Sequence, residues 1–144
     1  MINIKEVITI KKYYIMRKQI KNCEKSDVFL LPPKKFIEIN KKEDLTPLLS
    51  EEPDYFDCKK VYKRIKKLNG IMIAVIENDC PVAFGTVIKK GSNDELFKIR
   101  NTDVYLNYLY TYPKFRGKGI MPILMDELIN KAAERWGVEM FVYV

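Results

Sequence analysis

The chain has 144 residues, of which 47% are hydrophobic, 12% aromatic and 31% charged. That is the composition of one folded domain with a sizeable core; it excludes general disorder. The net charge is +7 with no histidine, which removes Ser-His-Asp and Cys-His nucleophilic sites and histidine-based zinc sites.

Other compositional features narrow the class further. The first half, residues 1–72, holds 17 Lys+Arg against 10 Asp+Glu, and residues 73–144 hold 9 of each. A one-sided basic excess fits a polyanionic partner, but a solvated lysine-rich surface is the plainer reading. Cys23, Cys58 and Cys80 are far apart and form no CxxC, so a reducing compartment without a disulfide framework is expected. The longest apolar run, Ile71–Ile76, is too short to span a bilayer. The first residues carry no apolar h-region. A cytoplasmic protein without a metal site or a membrane partner is the expectation.

Val7–Ile20 is rich in β-branched and aromatic residues and predicts a strand or hairpin. Residues 21–35, with Pro32-Pro33, read as loop. Phe36–Ile39 alternates apolar and polar residues and predicts a strand. Lys41–Leu49 predicts a short helix with Glu43 and Asp44 near its start and Pro47 limiting it. In Tyr55–Leu68, Tyr55, Cys58, Tyr62 and Ile65 recur at helical spacing. Lys59, Lys60, Lys63, Arg64, Lys66 and Lys67 form the opposite face, and Gly70 follows as a stop. Ile71–Glu77 and Val82–Lys89 flank Asn78-Asp79-Cys80-Pro81 and predict an antiparallel hairpin, with a bulge at Gly85. Asp103–Tyr112 predicts another strand. Ile120, Leu124, Leu128 and Ala132 recur every four residues and predict a helix to Trp136, ended by Gly137. Val138–Val144 reads as a buried strand.

The chemistry concentrates in strand, glycine loop, helix and strand from Asp103 to Val144. Arg116-Gly117-Lys118-Gly119 opens onto a helix, and Pro122 is tolerated only in a first helical turn. The helix therefore begins near residues 118–120, and its first amides lack internal partners. Free amides, a positive helix terminus and the side chains of Arg116 and Lys118 together suit a phosphate or pyrophosphate. GxxxxGK[ST] is absent, and no third glycine completes a dinucleotide fingerprint. On local pattern alone, a plain strand-to-helix turn has equal weight.

The stretch from Tyr105 through Pro113 and Arg116-Gly117-Lys118-Gly119-Ile120-Met121 resembles the acetyl-CoA motif of the GCN5-related N-acetyltransferase (GNAT) superfamily. Met121 departs from the usual glycine or alanine. The resemblance covers residues 36–144, leaving 1–35 as an N-terminal strand and loop extension. It implies an α/β (α+β) mixed-sheet acyl-CoA N-acyltransferase fold that lacks the last helix and two strands. With those missing, Val138–Val144 would be an open sheet edge, and a homodimer is a possible consequence.

The resemblance further implies an acetyl-CoA-dependent N-acetyltransferase acting on the amine of a small molecule or amino sugar, with acetyl-CoA as cosubstrate. The backbone of Leu109, Tyr110 and Thr111 would hold the pantetheine arm. Arg116, Gly117, Lys118, Gly119, Ile120 and Met121 would hold the pyrophosphate. No histidine is needed for direct amine attack. No catalytic base stands out; Asn107, as a water-orienting group, and Tyr143 are the weak candidates. Two alternatives remain: a catalytically inactive CoA-binding or protein-interaction member of the same fold, and, with less support, a basic nucleic-acid-binding module.

Overall fold

A computed structural model describes residues 6–10, 13–20, 30–89, 104–137 and 140–143; for 6–10, 13–20 and 140–143 it describes the backbone alone. Seven strands form one mixed sheet: β1 (Glu6–Ile10), β2 (Tyr13–Ile20), β3 (Lys34–Glu38), β4 (Ile71–Glu77), β5 (Cys80–Lys89), β6 (Val104–Thr111) and β7 (Met140–Tyr143). Their spatial order is β1-β2-β7-β6-β5-β4-β3. Every pairing is antiparallel except β6–β7. The helices are α1 (Thr46–Leu49), α2 (Cys58–Lys67) and α3 (Ile120–Trp136), with short 3-10 turns at Lys42–Leu45 and Pro113–Phe115. The fold is α+β.

β4 and β5 read as unbroken apolar runs because both of their faces are covered. Nearly every residue from Ile71 to Ile76 and from Val82 to Ile88 is buried. One face takes α3, whose Leu124, Leu128 and Ala132 are fully buried. The other takes α1, α2 and the loop between them, with Leu48, Val61 and Ile65 in the core. The β4–β5 turn uses Asn78 and Asp79, both at positive φ (48° and 65°). Paired left-handed residues match the twist of a two-residue hairpin, and Asn and Asp tolerate that conformation best.

Three expectations are adjusted. Pro47 starts α1, in its first turn, and does not limit the helix; a missing N–H costs nothing there. The α2 helix begins at Cys58, because the Asp57 carboxylate accepts from the Lys59 and Lys60 amides and caps it. Tyr55 therefore leaves the predicted apolar stripe and stands 80% exposed in the preceding loop. The expected open edge is not found at the described residues 140–143: β7 lies between β6 and β2, with all four residues paired to β2 and Val142 and Tyr143 paired to β6 as well. Of the predicted loop at 21–35, residues 21–29 fall outside the described residues, and Lys34 and Lys35 belong instead to β3, where they pair with Glu77 and Ile76; residues 90–101, between the predicted strands ending at Lys89 and starting at Asp103, also fall outside them.

Candidate functional site: a strand edge facing a glycine loop

The site grows from a bulge in β6. Pairing with β5 steps from Phe84↔Tyr110 to Thr86↔Asn107, so β6 carries one residue more than β5 across this interval. The bulge expected at Gly85 is there, with its extra residue on the partner strand. Tyr108 takes a left-handed φ of 51°, an outlier for a bulky side chain.

The surroundings hold it. The Tyr108 amide donates to Asn107 Oδ1 at 2.8 Å, Thr86 Oγ1 donates to Asn107 O at 2.7 Å, and Arg64 Nη1 donates to the Tyr108 hydroxyl at 2.7 Å. Opposite the bulge, Gly85 leaves room for leucines: a Cβ there would lie 2.8 Å from Leu109 Cδ2 and 2.9 Å from Leu128 Cδ1. The bulge thus turns the Leu109 side chain toward α3, while the rings of Tyr108, Tyr110 and Tyr112 join Phe84 and Phe56 on the opposite face.

Beyond the bulge, β6 is paired on one side only. Its parallel contact with β7 consists of Val104↔Val142 and Tyr105↔Tyr143. From Leu106 to Thr111 the edge facing away from β5 has no strand beside it among the described residues. At the end of this edge lies a cavity of about 440 Å³, lined by Tyr55, Phe56, Leu109, Tyr110, Thr111, Arg116 and Met121.

The loop after β6 closes the cavity's far side. Tyr112 and Phe115 are buried anchors. Arg116 Nε donates to Thr111 O at 2.8 Å, and its guanidinium lies 5.3 Å from the Tyr110 ring centre. Those contacts fix the cation at the end of β6. Gly117 and Gly119 take φ of 76° and 72°, and a Cβ on either would meet nothing within 4 Å. The loop therefore presents open backbone in a conformation that suits glycine. Gly119 is the N-cap of α3, followed by Ile120, Met121 and Pro122 as its first residues. The amides there cannot be satisfied within the helix. Lys118 and Lys114 sit 5.7 and 5.5 Å from the Phe115 ring centre, which adds two cations beside the loop. Backbone donors, a helix N-terminus and nearby cations are the chemistry that suits a polyanion.

A model of the acetyltransferase (GNAT) family matches residues 35–144. This chain belongs to that family. A predicted acetyltransferase from Clostridium acetobutylicum, crystallised with acetyl-CoA, is similar at 20% identity with a TM-score of 0.51, over 76% of this chain and 79% of that one. A GCN5-related N-acetyltransferase from Kribbella flavida is similar at 9% identity and a TM-score of 0.62, over 89% of this chain and 47% of that longer one. A transcriptional regulator from Bacillus halodurans is similar at 18% identity and a TM-score of 0.51, over 76% of this chain and 79% of that one. At these identities the likeness shows the shared fold. None of the curated proteins matches.

Within this GNAT chain the structure brings together Leu109, Tyr110, Thr111, Arg116 and Met121 at one cavity, with Gly117, Lys118, Gly119 and Ile120 at the adjoining helix start. Asn107 is not at the cavity: its carboxamide oxygen is committed to the Tyr108 amide. The backbone of Tyr143 pairs with Tyr105 and Arg17; its side chain lies outside the described residues. Sequence reasoning missed Tyr55 and Phe56 as a cavity wall. Asp57, a capping residue just before an apolar-periodic run, was the signal that both precede the helix.

Two buried groups nearby are unsuited to act as general bases. Burial pushes the Cys58 thiol up to about 11, with the Glu52 carboxylate adding to the effect. Burial, then the neighbouring Cys58, also raises Tyr112 far above the usual phenol range. Both stay protonated at neutral pH. Among the described residues no helix is long and apolar enough to cross a membrane.

Proposed function

We propose that this protein is an acetyl-CoA-dependent N-acetyltransferase that acylates the amine of a small molecule or amino sugar. The observation that carries this reading is the unpaired β6 edge ending in a cavity beside the Gly117–Gly119 loop. An extended pantetheine arm pairs with an exposed strand edge much as a peptide does in strand addition. The backbone of Leu109, Tyr110 and Thr111 offers that edge. The amides of Gly117 to Met121, with Arg116 and Lys118, hold the pyrophosphate. The open space in front of both glycines is what such a bulky anion requires.

In the reaction, the amine nitrogen attacks the thioester carbonyl carbon. The C–N bond forms, the C–S bond breaks, the thiol of CoA leaves and the amine loses a proton. The residues of this chain orient the two reactants. A strand amide at the bulge end of β6 supports the developing oxyanion.

The test is calorimetric titration with acetyl-CoA followed by acyl transfer to a panel of amines. The Arg116→Glu/Gly119→Glu variant should abolish binding. Unchanged binding in that variant, or no binding by the unaltered protein, refutes the reading. One observation favours a second reading, an inactive CoA-binding member: no carboxylate lines the cavity among the described residues, so no side chain there is suited to take the amine proton. Acetyl-CoA binding without transfer to any amine would select that reading.

A further inference from the structure

The hairpin of β1 and β2 precedes the family-matched region in sequence, yet it stands directly beyond β7 in the sheet. Among the described residues β7 spans four, Met140–Tyr143, and it makes two residue pairs with β6. With β2 it makes four: Arg17↔Tyr143, Lys18↔Val142, Gln19↔Phe141 and Ile20↔Met140. Parallel pairs are slightly less stable per residue than antiparallel ones. The antiparallel contact with β2 covers all four described residues of β7 and so helps to set where β7 lies. The position of β7 decides how much of the β6 edge is left open. The resemblance expects two strands after residues 138–144; here two strands from the other end of the sequence lie beside them.

We infer that the N-terminal hairpin, residues 6–20, is a positioning element of the cofactor cleft: β2 holds β7 at the angle that leaves the β6 edge free for the pantetheine arm. This inference rests on the acetyl-CoA reading of the cleft. It makes residues 6–20 part of the acetyltransferase unit and not an extension of it.

Two cysteine staples test the placement in the full chain with Cys23→Ser: Lys18→Cys/Val142→Cys and Gln19→Cys/Phe141→Cys. In adjacent antiparallel pairs one is the closer, non-hydrogen-bonded kind, within disulfide reach. At least one staple should form on oxidation and keep the acetyl-CoA Kd within about twofold of the unstapled protein. Arg17→Pro, which disrupts β2, should weaken acetyl-CoA binding about tenfold or more, and the Gln19/Phe141 staple should restore most of that loss. Should the proline variant not fold, Lys18→Gly/Gln19→Gly replaces it, with an expected weakening of about threefold or more. Failure of both staples overturns the inference alone. A folded proline or glycine variant with unaltered affinity also overturns it. Absence of acetyl-CoA binding by the unaltered protein overturns both readings, while staple formation still reports the β2–β7 contact.

Discussion

Replacing Gly85 with alanine adds one methyl group at the point where the β6 bulge meets α3. The new Cβ would lie 2.8 Å from Leu109 Cδ2 and 2.9 Å from Leu128 Cδ1. Optimal carbon contacts fall at roughly 3.5–4.0 Å, so each leucine must give way by close to an ångström. Leu128 is fully buried in the α3 interface and has nowhere to retreat. Leu109 is half-buried and lines the cavity, so it moves outward along the edge assigned to pantetheine. Overpacking of this kind costs about 1–3 kcal/mol. For a chain of this size each kcal/mol lowers Tm by about 2–4 °C.

The assay is urea unfolding of Gly85→Ala, Leu109→Ala and the double variant. Shortening Leu109 removes one of the two clashes, so the double variant should be more stable than the sum of the single losses, by about 0.5–3 kcal/mol. Acetyl-CoA affinity should fall in Gly85→Ala and recover only in part in the double variant. Strict additivity, or an alanine variant as stable as the original, would refute the argument that Gly85 exists to admit these two leucines.

Asp57→Ala should destabilise the protein by about 1 kcal/mol, read by chemical denaturation, because it leaves the Lys59 and Lys60 amides uncapped. Gly119→Ala should cost about 1–2 kcal/mol from its left-handed φ alone, since the methyl meets no atom within 4 Å. Arg116→Ala should raise the acetyl-CoA Kd about tenfold in calorimetry while moving Tm little, because its partners are Thr111 O and the Tyr110 ring at the surface of the cavity. In native protein at pH 8 a thiol reagent should label the exposed Cys80 and spare the buried Cys58, mapped by peptide mass. Because the folded Cys58 thiol holds its proton to about pH 11 and an ordinary thiol loses it near 9, the native state binds more protons between those values. Its contribution to stability is complete below about pH 9 and declines as pH rises toward 11. A Cys58→Ala variant, itself less stable, should lack that part of the alkaline decline.

The elements legible in the sequence are those whose cause is local. The periodicity of Ile120, Leu124, Leu128 and Ala132 specified α3, and Asn78-Asp79 between two apolar runs specified the β4–β5 hairpin. Arg116-Gly117-Lys118-Gly119 ahead of Pro122 marked a helix start with free amides. Such patterns depend on residues within a turn or two of one another, so they survive reading in one dimension. Gly85 was legible as an irregularity but not as an answer to Leu109 and Leu128, which lie 24 and 43 positions further along the chain.

Tertiary structure alone decided the rest. Phe56 sits between a capping residue and a polar loop, and nothing local ties it to Phe84, Tyr108 and Tyr110; packing across the sheet does. The same holds for Tyr55 and the cavity wall. The neighbour of β7 was the least legible feature, because sheet order follows from which backbone edges remain unpaired once the whole sheet has assembled. A strand's sequence states that it needs partners, and the competition among distant strands determines which ones it gets. That is why β1 and β2, legible along the chain as a strand or hairpin but without a place in the sheet, stand beside β7 in the folded protein.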